Sequence, residues 1–210
     1  MNFQDLASEL LKTKRKQQTL LIAIDGHGGT GKSTFAQNLA SALKQVGSKV
    51  FIVSTDEFGN HKDLQSLKSR PDVKTPYRID SERLRKQILE PLSGDILAIF
   101  MSTDWWDENK NTQKNIDIGG VVIVEGCYSL GTELREYYDF RIFIDTPLEE
   151  ASQRASDRDI KLGGKPDIAS LLWKEVYYPN ELVYMKEQQP KKAANLVVTS
   201  FSPTQIITAE

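Results

Sequence analysis

Gly26, Gly31, Lys32 and Ser33 stand in the spacing G-x-x-x-x-G-K-[ST], and this string limits the folds open to the chain more than any other feature. The full segment reads Gly26-His27-Gly28-Gly29-Thr30-Gly31-Lys32-Ser33, with Thr34 next. Its glycines let successive backbone N–H groups turn inward around phosphate oxygens. The helix start that follows adds positive potential, and the lysine ammonium reaches the outer phosphates. Ser33 then offers a hydroxyl to Mg²⁺. These parts work only between a strand and a helix, and the flanks fit: Leu20 to Asp25 is an apolar run of strand length, while Lys32 to Val46 carries Phe35, Leu39, Ala42 and Leu43 at helical spacing. A merely flexible turn would leave Lys32 and Ser33 at the helix start unexplained. Residues 26–34 are therefore expected to grip the triphosphate of a nucleotide, ATP with Mg²⁺.

Downstream, Val50 to Val53 is a second β-rich run that completes a right-handed βαβ unit with parallel strands. Glu57 to Pro76 is polar and broken by Gly59 and Pro71, an irregular connection, and Ser81 to Leu89 returns to helix. Ile96 to Phe100 reads as a short strand, and Trp105 to Asp117 as an excursion from the core. Val121 to Val124, Arg141 to Ile144 and Leu196 to Thr199 are further β-branched runs. A helix is expected from Pro147, broken at Gly163, Gly164 and Pro166, then resumed from Ile168 to Glu187. Residues 3–16 place Phe3, Leu6, Leu10 and Leu11 near helical spacing, an accessory helix within residues 1–18. Strands and helices alternating in this way predict an α/β domain over residues 1–210, with a mainly parallel sheet of about five strands covered on both faces.

A formal charge of −2 supplies no global positive field to attract nucleic acid. The single cysteine, Cys127, rules out an intrachain disulfide and fits a reducing compartment. No stretch approaches the roughly 20 apolar residues of a membrane span. The expectation is a cytoplasmic protein with a small-molecule partner, neither nucleic acid nor membrane; self-association into a homo-oligomer is left open. Two isolated histidines, His27 and His61, make a zinc site a poor expectation.

Parallel sheets set ligand sites beyond the carboxyl ends of their strands, so the acids there, Asp56, Glu125 and Asp145, belong together in the argument. Asp56 follows Val53-Ser54-Thr55, where a carboxylate can accept a proton from an attacking hydroxyl, or simply cap a turn.

At these residues the chain resembles the uridine kinase and phosphoribulokinase-like group of P-loop kinases. Gly26 to Thr34 looks like its nucleotide loop, Ser54-Thr55-Asp56-Glu57-Phe58 like its strand-Asp-aromatic segment, and Val121 to Gly126 like its apolar strand ending in Glu-Gly. Phe140 to Thr146 resembles the next strand, and Arg154 to Asp159 the arginine-bearing lid helix. The resemblance implies a three-layer P-loop NTPase of nucleoside-kinase type with a helical lid over about 147–190. It implies a kinase that moves the γ-phosphate of Mg-ATP to an alcohol: a nucleoside, a sugar or a pantothenate-like compound. Asp56 would be the general base, Ser33 and Glu125 would hold Mg²⁺, and Lys32, Arg154 and Arg158 would meet the phosphates. Glu125 has a turn-capping alternative, and Arg154 and Arg158, spaced i, i+4, could instead pair with acids on an exposed face.

Tyr77-Arg78-Ile79-Asp80 lies where related kinases line the acceptor pocket, though Asp80 with Ser81 equally reads as a helix cap. The family's Pro-x-Tyr-Asp-like segment and nearby histidine are replaced by Phe100-Met101-Ser102-Thr103-Asp104-Trp105-Trp106, a departure that weighs against a pyrimidine nucleoside. Trp105 and Trp106 could stack on a ring or sugar face, or fill a core. Two other functions remain in view: a nucleotide-hydrolysing switch and a non-catalytic ATP-binding module. Asn109-Lys110-Asn111-Thr112 lacks the aspartate of a guanine reader, and Leu92-Ser93-Gly94-Asp95 departs from a transporter-ATPase signature.

Overall fold

The computed structural model describes residues 1–13, 15, 17–59, 79–103, 110–163 and 165–209. Its main sheet has six strands in the order β2-β5-β1-β6-β7-β8: β1 (Thr19–Gly26), β2 (Val50–Ser54), β5 (Gly120–Glu125), β6 (Phe140–Ile144), β7 (Leu196–Ser202) and β8 (Gln205–Thr208). The first five are mutually parallel and β8 runs back antiparallel to β7. β5 inserts between β1 and β2, so the βαβ unit predicted from the sequence is formed with one strand interposed.

All eight residues of β1 are buried, as its near-continuous apolar run requires of a central parallel strand. Side chains alternate across it. Leu20, Ile22 and Ile24 face one core together with Phe35, Leu39 and Leu43 of α2 (Lys32–Gln45). Leu21 and Ala23 face a second core with Leu84, Ile88 and Leu92, from a helical run made of α3 (Ser81–Leu84), a π-helical stretch (Arg85–Leu89) and α4 (Glu90–Ser93). The result is three layers, with the strand ends open at one rim.

β3 (Ala98–Thr103) and β4 (Asn111–Ile116) leave the sheet as a separate antiparallel ribbon. The short strand predicted at Ile96 to Phe100 is therefore shifted: Ile96 is 63% exposed and precedes it, while Ala98 and Phe100 bury their side chains against the second core. The excursion predicted for 105–117 contains β4, whose first five residues are all exposed.

Covering the strand ends are α5 (Leu148–Lys161), α6 (Pro166–Leu172), a π-helical stretch (Trp173–Tyr177) and α7 (Tyr178–Gln188), followed by the single turn α8 (Pro190–Ala193). The second helix starts at Pro166 and not at Ile168, because proline at a first helical position sacrifices no hydrogen bond.

The accessory helix α1 (Phe3–Leu10) is held at its start by Asn2 and Asp5, whose side chains accept each other's backbone N–H at 2.9 and 3.0 Å. Phe3 packs on Phe35 with ring centroids 4.9 Å apart, and Phe35 meets Phe201 of β7 edge-on at 5.1 Å. The Ile206 N–H donates to the Met1 carbonyl at 2.8 Å, so α1 and the β7–β8 hairpin close together over the start of α2.

Candidate active site

Register brings the site together. Ile24 of β1 and Ser54 of β2 both sit level with Glu125 of β5, so the loop that begins two residues after Ile24 and Asp56, two residues after Ser54, flank Glu125 from either side. A cavity of about 490 Å³ opens there. Gly28, Gly29, Gly31, Lys32, Ser33 and Thr34 line it from the loop; Asp56 and Glu125 line it from the strand ends. Arg154 and Arg158 reach its rim from α5.

The loop is tightly packed. Gly29 has a φ of 83°, and a Cβ there would collide with the Ala151 carbonyl at the start of α5. Gly126 faces the same limit: its Cβ would collide with Thr55 Oγ1, which donates to the Cys127 carbonyl at 3.1 Å. Gly26, His27 and Thr30 shape the loop. Thr30 Oγ1 donates to the His27 carbonyl at 2.9 Å, and His27 Nδ1 lies 3.1 Å from Glu181 Oε2.

Lys32 is buried at 8% exposure. Its Nζ donates to the Gly26 and His27 carbonyls at 3.0 and 2.7 Å and lies 3.5 Å from Cys127 Sγ. Burial works against its charge, but Cys127 and the acids Glu181, Glu125 and Asp25 outweigh it and hold the ammonium above its usual pKa. Ser33 Oγ donates to Glu125 Oε1 at 3.0 Å. Burial, with Asp56 adding its charge, raises the Glu125 pKa, against the opposing pull of Lys32, Ser33 and Ser54.

Asp56 is exposed on a one-turn 3-10 helix (Thr55–Phe58) whose neighbours are fixed. Ser54 Oγ accepts from the Asp56 N–H at 3.3 Å and Glu57 Oε1 accepts from the Ser54 N–H at 3.2 Å. Phe58 is fully buried and stacks on Phe100 of the ribbon at 5.6 Å. Arg83 ties the turn to the ribbon, donating to the Glu57 carbonyl at 3.1 Å, the Met101 carbonyl at 3.2 Å and Thr103 Oγ1 at 2.9 Å. With Thr55 and Phe58 anchored inward, Asp56 is left at the cavity mouth.

The arginines of α5 sit differently. Arg154 pairs with Glu150 one turn away, and Arg158 Nη2 donates to Asp159 Oδ1 at 2.9 Å; their side chains are 54% and 57% exposed. Asp145, the third strand-end acid, pairs with Lys191 at 2.6 Å outside the cavity lining. Asp80 caps α3, accepting from the Arg83 N–H at 2.9 Å. Tyr77, Arg78, Trp105 and Trp106 lie outside the described residues.

Three further groups at the site, two of them buried, were not singled out as site residues from the sequence. Asp25 ends β1 and accepts from the Gly26 N–H (2.6 Å), the Leu130 N–H (2.8 Å) and Tyr184 Oη (2.6 Å), locking the loop to the segment after β5 and to α7. Burial raises its pKa, against these hydrogen bonds and the charge of Lys32. Cys127 places its sulfur beside Lys32, and burial keeps its thiol well above the usual pKa. Glu181 of α7, 4% exposed, joins His27 and Gly28. Only Asp25, an acid closing an apolar run just before the loop, left a signal in the sequence.

Among the described residues, no group of three or more His, Cys, Asp or Glu side chains is arranged to hold a metal by itself. A divalent ion at Ser33 and Glu125 would take further oxygens from substrate, as Mg²⁺ sites commonly do. No described helix is long and apolar enough to cross a membrane.

Comparison with known proteins agrees with this geometry. The uridine kinase of Pectobacterium carotovorum is 29% identical over 160 residues, covering 73% of this chain and 74% of its own length. Among solved structures, a candidate fructose transport system kinase from Silicibacter sp. TM1040 superposes with a TM-score of 0.74 at 22% identity, over 90% of this chain and 96% of that one. A candidate uridine kinase from Bacillus stearothermophilus gives 0.67 at 19% identity, over 93% and 96%. These likenesses show the fold. The Phosphoribulokinase / Uridine kinase family model matches residues 21–205, a span that holds the loop, Asp56, Glu125 and helices α5 to α7, and the chain therefore belongs to this family of P-loop small-molecule kinases.

Proposed function

We propose that this enzyme moves the γ-phosphate of Mg-ATP to a hydroxyl of a small molecule, a nucleoside, sugar or pantothenate-like alcohol. The observation that supports it most is the convergence of Lys32, Ser33, Glu125 and Asp56 on one cavity at the strand ends. Asp56 stands where an acceptor hydroxyl would approach, and takes its proton as the oxygen attacks phosphorus. Lys32 and the loop amides offset the charge on the transferred group, and Arg154 and Arg158 turn inward from the lid to complete that field. Ser33 and Glu125 supply hard oxygen donors suited to Mg²⁺, which when bound neutralises charge on the phosphates. The lid over the cavity keeps competing water away from the phosphorus. ATP as donor places this work in the cytoplasm, in keeping with one cysteine in the chain.

The test is a panel of nucleosides, sugars and pantothenate-like alcohols assayed for ADP release with Mg-ATP. One acceptor class should raise turnover, and Asp56→Ala should lower that turnover by about 10² to 10⁴-fold, the range of a positioned general base. Full transfer by Asp56→Ala would remove the base from the scheme. Hydrolysis that no alcohol stimulates would replace the kinase with a hydrolysing switch.

A further inference from the structure

Two of the loop's donors, the Gly28 amide and the Lys32 ammonium, are engaged from within the chain. Lys32 folds back on the Gly26 and His27 carbonyls, and the Gly28 N–H donates to both carboxylate oxygens of Glu181, at 3.1 and 3.3 Å. Glu181 is buried, with its Oε2 3.1 Å from His27 Nδ1 and its Oε1 receiving Cys127 Sγ at 3.4 Å. Burial alone would raise its pKa, but His27, the charge of Lys32 and the Gly28 N–H together hold it below the usual carboxylate range, so it is an anion at neutral pH. Above the same glycine lies Trp173: a Cβ on Gly28 would collide with its six-membered ring. Trp173 Nε1 donates to Asp159 Oδ2 at 2.6 Å, which ties this cover to the end of α5 that carries Arg158.

A carboxylate and a phosphate group present the same chemistry to a main-chain amide: paired anionic oxygens that accept a charge-assisted hydrogen bond. We propose that Glu181, backed by Trp173, is an internal latch that stands in for a phosphate oxygen at the Gly28 amide and has to leave it when a polyphosphate enters the loop. The proposal rests on the nucleotide-binding reading above. Two anions of this kind cannot share the Gly28 amide without strong repulsion, so loop filling and release of α7 form a single equilibrium. The observed nucleotide affinity is then the intrinsic affinity reduced by the fraction of molecules that are unlatched. While the latch is closed the loop stays folded against α7, and only ligands whose phosphate charge outcompetes the carboxylate enter.

Titration calorimetry of Mg-ATP and of inorganic tripolyphosphate, on the full chain and on Glu181→Gln, tests it. The glutamine keeps the shape and the acceptor oxygen but loses the charge, so both ligands should bind about three- to tenfold tighter, tripolyphosphate by as large a factor as ATP. If the wild type binds and Glu181→Gln binds equally or more weakly, Glu181 only shapes the loop and the latch is refuted. If neither protein binds either ligand, the nucleotide-binding reading itself fails and the latch fails with it. Circular dichroism checks that the variant folds; should it not, Trp173→Phe, which uncovers Gly28 while keeping an aromatic side chain, is measured in its place. Tighter binding by that variant supports the latch, and unchanged or weaker binding overturns it.

Discussion

Two sets of cations face the cavity, and they are built on opposite terms. Lys32 is 8% exposed, bound to two loop carbonyls and surrounded by acids that keep it charged in spite of burial. Arg154 and Arg158 are more than half exposed and paired with neighbours on their own helix. Exposed pairs of that kind are worth about 0–1 kcal/mol, so an incoming phosphate can break them at little cost. On the proposed mechanism the loop cation is fixed before substrate arrives, and the α5 cations are recruited on closure. Preorganised charge acts on ground state and transition state alike unless geometry separates them, whereas charge recruited on closure can be kept for the transition state.

The strongest way to break this contrast is Lys32→Ala. It removes the fixed charge and leaves Asp25, Glu125 and Glu181 around an empty position, and kcat/KM for ATP should fall by about 10³-fold or more in a coupled phosphotransfer assay. A loss under tenfold would mean that the lid supplies most of the field. Next in size, Arg158→Ala should lower kcat by about 10²-fold with little change in the KM for ATP, since the residue is engaged elsewhere until closure. A change mainly in KM would show Arg158 to be a ground-state binder like the loop.

The smallest effect sharpens the electrostatics. Burial raises the Glu125 pKa, so kcat/KM, which reports the enzyme before Mg²⁺ and substrate bind, should decline as pH falls through a value above the ordinary 4.5, the proposed Mg²⁺ role requiring the carboxylate. For folding the sign is reversed. A raised acid pKa favours the folded state at low pH and loses that contribution as pH rises, while Glu181, whose pKa is lowered, contributes stability that is lost as pH falls through its folded pKa. Acid should therefore reduce activity before it unfolds the chain, and pH profiles of kcat/KM and melting temperature measured side by side will separate the two.

The loop was legible because its chemistry is local: Gly26 to Ser33 holds every donor it needs, and β1 and α2 must flank it. Glu125 and Asp56 were legible as strand-end acids because parallel register gathers strand ends at one rim. Glu181 was not. It lies in the first turn of α7, and its partner Gly28 is 153 residues away, so no short pattern marks it. β4 was missed because Asn111 to Asn115 has no apolar alternation; its only buried residue is Ile116, and the hydrogen bonds of β3 make it a strand. Asp80 had two readings from sequence, and the cap is the contact it makes.

The clasp over the start of α2 has a consequence for how the enzyme is made. Gly31 rests against the ring of Phe201, and that ring belongs to a hairpin far along the chain. On the ribosome the glycine loop emerges early, yet the Phe201 ring it leans on is still to be translated. Until then, of the rings of Phe3 and Phe201 that pack on Phe35, only Phe3 has been made, and the loop gains its last support only when β7 and β8 fold back onto α1.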